Sequence, residues 1–594
     1  MAPPQVSVLI VGGGPVGLIT AYQLAHTLPP HHTIRIVEKH AKTAQDAYGR
    51  AITLFPRSAE MLDQLGLADE LAQRCFACRS TASYDRFGHA VKGRGWEWME
   101  RMGDTRWDFA LVLRQKYQEE IFRARLAEKG VLLESQVELV QLAVDEARPV
   151  GSYRVTAVLE KRGSSPPERE VVKCKYVVGA DGGRSFVRRA LNIPFDGSST
   201  EDKWVRIDGV VETDMPSPRC YAAIESPTHG NVLWAALDHG ATRIGFAFTA
   251  ERQRAYANFD EAAAVREAVE SVKPFQLRFK QVDWYTVYVV GQRIARRFSA
   301  ADCVFLAGDA CHTHSSGAAQ GMNTGLHDAV NLGWKLSLVL RGEAAPELLR
   351  TYEAERRPNV EKLIKYDKDI SRLMTMQLPE GWTGDLNADP NEVLGRVMAE
   401  AATFSSGLGI FYEPDRMLNV RGTFDEPVSD VAAERSPLQP GQRGPDVELK
   451  KPGTFDKTSL HKETPNRARF HAIVFAGDPS VTASELHRFS SALRSSRYFS
   501  ADSVPLSWLV IAATKPQPSM FEALGSTSPI GKAFYDPEKT AHKRYGVVVD
   551  KGAVFVLRPD GWIGTAAKLN PESVSELEKY FRNFIISSTS SPKL

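Results

Sequence analysis

Short apolar runs, each ending at a glycine turn and followed by helical periodicity, recur along the chain. Val6 to Val11 is apolar apart from Ser7, as a strand buried in a parallel sheet would be. Gly12-Gly13-Gly14-Pro15-Val16-Gly17 follows and opens a helix through Leu28. Thr33 to Val37 reads as a second strand ending at Glu38. The same pattern returns at Tyr176 to Gly179, with a turn through Asp181-Gly182-Gly183 and a helix holding Val187-Arg188-Arg189. It returns again at Cys303 to Ala307, with a turn at Gly308-Asp309 and a helix starting near Gly321. Strands alternating with helices predict an α/β fold with a parallel sheet. Residues 200 to 290 read instead as successive strands, such as Trp204 to Val211 and Arg243 to Phe248. Gly163 to Pro167 reads as a hairpin tip, and Ser436 to Thr454, rich in Pro and Gly, as a linker. Beyond it lie strands at Ala472–Phe475, Leu509–Ala512 and Val547–Leu557 and a turn at Arg558-Pro559-Asp560-Gly561. A last helix follows, capped by Asn570, with Val574, Leu577, Phe581 and Phe584 on its apolar face.

The turns carry the chemistry. Gly12, Gly14 and Gly17 fit G-x-G-x-x-G, with Pro15 and Val16 inside it. The missing side chains permit a tight turn, the approach of a pyrophosphate and close helix–strand packing. Glu38, followed by Lys39, lies where a carboxylate would bind the ribose of an adenosine half. This unit alone fits FAD and NAD equally. Asp309 stands at the carboxyl end of its strand, where open α/β sheets bind ligands. The helix start at Gln320-Gly321-Met322-Asn323 points backbone N–H groups at the same crevice, favouring an anion or a developing negative charge. A carboxylate for a ribose hydroxyl and a helix end for a negatively charged ring suit a reduced flavin. The pair therefore favours FAD.

Composition narrows the class by exclusion. Lys+Arg number 74 against 72 Asp+Glu, a net charge of +2, so neither a nucleic-acid nor a membrane partner is expected. Length of 594 residues predicts three or so units. Six cysteines make no disulfide framework, and a reducing, cytoplasmic compartment is expected. Cys75-Phe76-Ala77-Cys78 is a C-x-x-C without a second pair or a matching His pair, which favours incidental thiols over redox or metal chemistry. His312 and His314 are candidate proton relays or supports, and no metal is predicted.

In this order, Gly12 to Gly17, Asp181-Gly182 and Gly308-Asp309 resemble the three motifs of the FAD-dependent aromatic hydroxylases, the single-component flavoprotein monooxygenases. Gly49-Arg50-Ala51 before Pro56-Arg57-Ser58, Tyr288-Val289-Val290-Gly291-Gln292-Arg293 and the C-terminal extension resemble the phenol 2-monooxygenase subgroup. The resemblance implies a Rossmann-type FAD-binding domain (1–195 and 290–375) with an inserted mixed β-sheet substrate domain (196–289). It further implies a helical extension and linker (376–440) and a thioredoxin-like α/β domain (441–594), here without cysteines, structural or dimer-forming. Arg50, Ala51 and Arg114 are the implied flavin contacts, Asp181 serves flavin and NADPH, and Tyr288 is the implied catalytic residue. NADPH would reduce the flavin, with NADH not excluded. Dioxygen would add to give a flavin C4a-hydroperoxide, and an electron-rich aromatic would attack it. A simple phenol, with a pKa near 10, is only about one part in a thousand ionised at neutral pH.

Two departures from the family bear on the substrate. The subgroup has an Asp in the loop after G-R-A, where this chain has Ile52. Ser315-Ser316-Gly317-Ala318-Ala319 replaces a segment that usually holds a Pro, a Lys and a Gly. A substrate other than simple phenol is expected: a more acidic phenol, or a ring that is electron-rich without ionising. Epoxidation, oxidative dearomatisation or Baeyer–Villiger-type insertion remains an alternative use of the same chemistry. A non-catalytic FAD-binding scaffold is an alternative of another class. Trp96-Glu97-Trp98 reads as core or pocket-lining aromatics.

Overall fold

The protein is described by a computed structural model covering residues 2–42, 50–163, 166–315, 317, 319–424, 438–500 and 504–586, with backbone only at 101, 200–202, 290 and 500. Gly49, Ser164, Ser165, Ser316, Ala318 and the start of the expected linker lie outside these residues.

The first sheet is built on five neighbouring parallel strands in the order Val304–Leu306, Glu168–Gly179, Gln5–Val11, Ile34–Glu38, Leu133–Ser135. Val8, Leu9 and Ile10 are fully buried, which is why this strand reads as a continuous apolar run. Helices Pro15–Thr27 and Gly321–Leu340 pack beside each other on this sheet. All three strand–turn–helix units expected from the sequence are therefore present; the strand expected from Tyr176 to Gly179 begins earlier, at Glu168.

The second sheet is antiparallel through its central strands. Its order is His312–Thr313, Leu277–Ala295, Phe195–Thr213, Thr242–Phe248, Gly230–Ala236, Tyr221–Ser226, Thr81–Tyr84. Side chains alternate between its faces. Val205, Ile207, Ile244 and Phe246 pack outward against Ala264 and Ala268 of helix Glu261–Ser271. Trp204, Leu233, Ala235 and Ala247 face inward, toward Trp96, Trp98 and residues Ile370, Leu373 and Met374 of helix Thr351–Met374.

The third sheet places Lys532–Tyr535, Leu506–Ala512 and Phe470–Gly477 in parallel, then Ala553–Leu557 and Ile563–Lys568 as an antiparallel hairpin. Helices Pro479–Ser495 and Glu572–Arg582 bury Leu486, Phe489, Leu577 and Phe581 against it, together with Trp334 and Leu338 of helix Gly321–Leu340. A βαβ unit followed by a hairpin and a helix is the connectivity of a thioredoxin-like layout. Asn570 caps the last helix through a 3.0 Å bond from the Ser573 N–H to its Oδ1.

Two expectations are corrected. The strand predicted over Val547–Leu557 starts only at Ala553, because Gly552 adopts φ +69° and residues 548–551 form a turn. The described part of the predicted linker is packed: Glu448–Lys450 joins the third sheet, and Arg443 is buried against Glu60. Prolines and glycines there mark a tightly turned segment, which composition alone does not separate from a free one.

Candidate active site

The three glycine turns meet at the carboxyl ends of adjacent strands. Gly12 has φ +114°, and a Cβ there would run into the Ala180 carbonyl, so the first loop lies directly on the Ala180-Asp181 turn. Gly308 has φ +61°, and a Cβ on it would lie 2.8 Å from Val16 Cγ2. A Cβ on Gly325 would lie 2.6 Å from the same methyl. Val16 thus wedges the first loop against the Gly308-Asp309 turn and the helix after it.

Glu38, buried, accepts from the Gly13 N–H and the His40 N–H, both at 2.9 Å, and so ties the glycine loop to the second strand. Lys39 is half-buried beside it. A Cβ on Gly14 would meet nothing within 4 Å, and the helix it precedes has no side-chain cap. Helix Gly321–Leu340 also starts without a side-chain cap, Gln320 donating instead to the Ser405 carbonyl at 2.8 Å. Asp309 is exposed at the strand end. Asp181 uses Oδ2 to accept from the Phe186 and Val187 N–H groups, while its buried Oδ1 has no partner among the described residues. Two uncapped helix starts, open space at Gly14, an exposed Asp309 and an orphaned Asp181 oxygen fit a dinucleotide with a charged ring at one end.

Asn323 joins that helix start to the neighbouring loop. Its Oδ1 accepts from the Phe55 N–H at 2.8 Å, and its amide donates to the carbonyls of Thr53 and Ala319, both at 3.0 Å. Met322 is buried in the core. Ala51 exchanges backbone and side-chain bonds with Gln115. Arg114, an implied flavin contact, donates its Nε to Asp238 at 2.8 Å and its Nη1 to Asp283 at 2.6 Å.

His312 is a support. Its Nε2 lies 2.8 Å from Asp328 Oδ2, which also accepts from the Gly308 N–H at 3.0 Å, while Arg356 binds Asp328 Oδ1 at 2.7 Å. Burial opposes ionisation of Asp328, yet Arg356 and His312 outweigh it and hold the carboxyl down at about 2. Cys311, His312 and Asp328 lie close enough to share a metal ion. The carboxylate is already committed, however, and burial pushes the Cys311 thiol well up. Burial likewise pushes Cys75 and Cys78 up to about 11, as incidental thiols would be. His314 bonds the Ser315 carbonyl, and Ser315 is pinned by Asp367 through its N–H at 2.7 Å and its hydroxyl.

Beyond the flavin crevice lies the inward face of the second sheet. Ile52 is buried there among Phe55, Trp96, Trp98 and Tyr221. Trp96 packs edge-on against Tyr221 at 5.1 Å, so the Trp-rich insertion forms a wall. Tyr288 pairs across the strands with Trp204, and the Arg50 guanidinium lies 5.1 Å above its ring. Tyr285, three positions before it, belongs to the opposite face. Sequence reasoning missed three residues here: Arg206, Arg243 and Tyr221. Arg243 grips Asp208 with Nε at 2.7 Å and Nη2 at 2.9 Å, and also donates to the Arg50 carbonyl. The Tyr221 hydroxyl lies 3.3 Å from Thr53 Oγ1. The overlooked signal was Trp204-x-Arg206-x-Asp208: period two places all three side chains on one face of the strand.

A Rossmann-type sheet with this crevice defines a flavin-binding oxidoreductase. Residues 5–367 match the FAD binding domain family, and residues 412–589 match the phenol hydroxylase C-terminal dimerisation domain. The chain therefore belongs to the FAD-dependent aromatic monooxygenases of the phenol hydroxylase type. It is 29% identical to the FAD-dependent monooxygenase ankC of Aspergillus thermomutatus, over 97% of both chains. Identity to the phenol 2-monooxygenase fsqG of Aspergillus fumigatus is 27%, over 98% of this chain and 96% of that one. With the 3-hydroxybenzoate 4-monooxygenase of Comamonas testosteroni it shares 33% identity over 69% of this chain and 66% of that one. Among solved structures, aklavinone-11 hydroxylase with FAD and aklavinone has the same fold, at a TM-score of 0.70 and 22% identity, covering 98% of this chain and 99% of that one.

Proposed function

We propose that the protein uses NAD(P)H and dioxygen to hydroxylate an electron-rich aromatic held between the flavin crevice and the inward face of the second sheet. The observation that carries this reading is the juxtaposition itself: Asn323, at the uncapped helix start, hydrogen-bonds the Thr53–Phe55 segment that walls the aromatic-lined compartment. FAD, when bound, supplies the activation of dioxygen at the expense of the nicotinamide. The chain's residues have four tasks around it. Gly12, Gly14 and Gly17 clear space for the pyrophosphate, and Asp309 takes a hydroxyl of the flavin side chain. The Gly321–Asn323 N–H groups favour negative charge on the reduced ring. Trp96, Trp98, Phe55 and Ile52 exclude water that would divert oxygen to peroxide. Arg50 and Tyr288 sit at the mouth and orient the ring. Ile52 cannot remove a proton, so the substrate is one that needs no carboxylate base there. Two copies of the chain associate through the C-terminal region.

The test is NADPH and NADH oxidation by the FAD-loaded protein against phenols, polyphenols and indoles, with hydrogen peroxide counted alongside. Stimulated oxidation with little peroxide supports a coupled hydroxylase. A protein that binds FAD yet is never reduced under any substrate condition would sink the reading and leave a non-catalytic scaffold.

A further inference from the structure

The wall beside the flavin crevice is held by a carboxylate that the hydroxylase reading does not use. Asp367 is fully buried on helix Thr351–Met374. Its Oδ2 accepts from the Ser315 N–H at 2.7 Å and from the Gln292 amide at 2.8 Å, and its Oδ1 accepts from the Ser315 hydroxyl at 2.5 Å. Burying a carboxylate is costly unless donors meet it, and these three donors come from two segments of the site. Ser315 Oγ accepts in turn from the Gly317 N–H at 3.0 Å. A Cβ on Gly317 would lie 3.0 Å from Met374 Sδ and 3.3 Å from Ile370 Cγ2, so Gly317 lies tight on the same helix. Gln292 belongs to strand Leu277–Ala295, which also carries Tyr288, and its amide donates as well to the Ser371 hydroxyl at 3.3 Å, one turn on from Asp367.

The chain is pinned again a few residues later. Asn323 donates to the Ala319 carbonyl at 3.0 Å, and Gln320 to the Ser405 carbonyl at 2.8 Å. Between these pins and Ser315, Ala319 has φ +54°, in the left-handed region. That region is costly for a residue with a Cβ and persists where the surroundings impose it. The turn directly before the uncapped helix start is therefore strained, and its shape is imposed by hydrogen bonds on either side. Asp367 supplies those at Ser315, and its helix also presents Ile370, Leu373 and Met374 to the substrate compartment.

We propose that Asp367 is a positioning residue of the reaction. It fixes Ser315, Gly317 and Ala319, beside the flavin crevice, against the strand that carries Tyr288 and the helix that lines the compartment. The two walls between which cofactor and ring meet are thereby kept in register. The proposal rests on the hydroxylase reading above and adds the device that holds its geometry. A charge suits the task better than a neutral side chain, because both oxygens must accept and neither may donate.

Two measurements on the FAD-loaded protein test it. Amide hydrogen exchange reads the clamp itself. The Ser315 and Gly317 amides are expected to exchange slowly in the wild type, and about 10-fold or more faster in Asp367→Asn, where one accepting oxygen becomes a donor. Aromatic-stimulated NAD(P)H oxidation, with peroxide counted, reads the consequence. Asp367→Asn is expected to keep its FAD while product turnover falls about 10- to 100-fold and the peroxide share rises. Adding Ala319→Gly should restore part of the coupling, because glycine takes the left-handed turn without strain. Ser315→Ala, which spares the carboxylate two of its donors, should move both readouts in the same direction and serves where Asp367→Asn does not fold. Leu577→Ala, in the core of the third sheet, lowers stability without touching this junction and is expected to leave both readouts as in the wild type. Fast exchange at Ser315 and Gly317 in the wild type overturns the assignment. So do wild-type coupling in both Asp367→Asn and Ser315→Ala, no rescue by Ala319→Gly, or the same loss in Leu577→Ala. Failure of the hydroxylase reading shows separately, as wild-type flavin that no aromatic brings under reduction by NAD(P)H, whatever the exchange rates.

Discussion

Asp309 and Tyr288 divide the work of the crevice between holding the cofactor and holding the ring. Asp309 is exposed at a strand end, so its removal leaves no orphaned partner in the core. Asp309→Ala is therefore expected to lower FAD retention without lowering secondary structure. The ratio of flavin to protein absorbance after gel filtration checks it, and full occupancy would contradict the role. Tyr288 lies under Arg50 and across from Trp204. Tyr288→Phe keeps the packing and should keep FAD. Turnover is expected to fall about 10-fold or more with peroxide rising, since the hydroxyl alone is lost. Unchanged coupling would reduce Tyr288 to a packing residue. The glycines of the first loop were legible because they follow a strand and precede a helix. The placing of Arg206 was not, because its side chain lies over Gly245, 39 positions away in sequence and directly opposite in the sheet.

At the scale of elements, the turn that presents Asp309 depends on a buried carboxylate beneath it. Asp328 projects from helix Gly321–Leu340 and binds the Gly308 N–H, His312 and Arg356 together. Its folded pKa of about 2 lies below the unfolded value of about 3.9, so its contribution is complete above that value. The contribution, about 2.5 kcal/mol, is lost as pH falls toward 2. Denaturant titrations between pH 5 and 2 should show stability falling with acid, and falling less steeply in Asp328→Asn. The same variant strands Arg356 and His312 without their anion and is expected to lose about 3–5 kcal/mol at neutral pH. Periodicity located these strands and helices, because each buries one repeating face, but it placed the starts of strands Glu168–Gly179 and Phe195–Thr213 eight or more residues late. It overran at Val547, where apolar residues continue past a turn, and Pro/Gly composition took Ser436 to Thr454 for a linker, whose described part is packed against the rest of the chain.

On the scale of the whole molecule, the third sheet is locked onto the flavin-binding unit by buried charge. Arg558, from the turn after strand Ala553–Leu557, binds Glu355 of helix Thr351–Met374, which also holds Lys335 at 2.7 Å. Asp560 of the same turn accepts from the Trp334 indole at 2.9 Å. Arg57, just after the Thr53–Phe55 segment, lies 4.3 Å from the Trp562 ring centroid, and its neighbour Glu60 binds Arg443. Burial works against the Glu60 carboxylate, yet Arg443 and His461 keep it well below the usual range. Arg443→Met leaves Glu60 and Arg57 as an incomplete buried set and is expected to cost about 3–5 kcal/mol. A fall in Tm with FAD content lost in parallel would show that this lock holds the site's wall in place. A fall in Tm with FAD fully retained would confine it to stability. Light scattering of the native protein is expected to give twice the 65.7 kDa chain mass, and a monomer at micromolar concentration would refute association.

The sequence by itself determined the flavin crevice, because glycines that must let backbone approach backbone, and acids at strand ends, act where they stand in the chain. It also determined that position 52 holds no base. Tertiary structure alone decided what fills the compartment beyond. A sheet face is assembled from five separated strands, and where a charge on it is held depends on residues distant in sequence. Arg114 is drawn to Asp238 and Asp283, Arg243 to Asp208, and Arg206 is laid into the hollow at Gly245. The sequence shows three arginines; only the fold gives them different work.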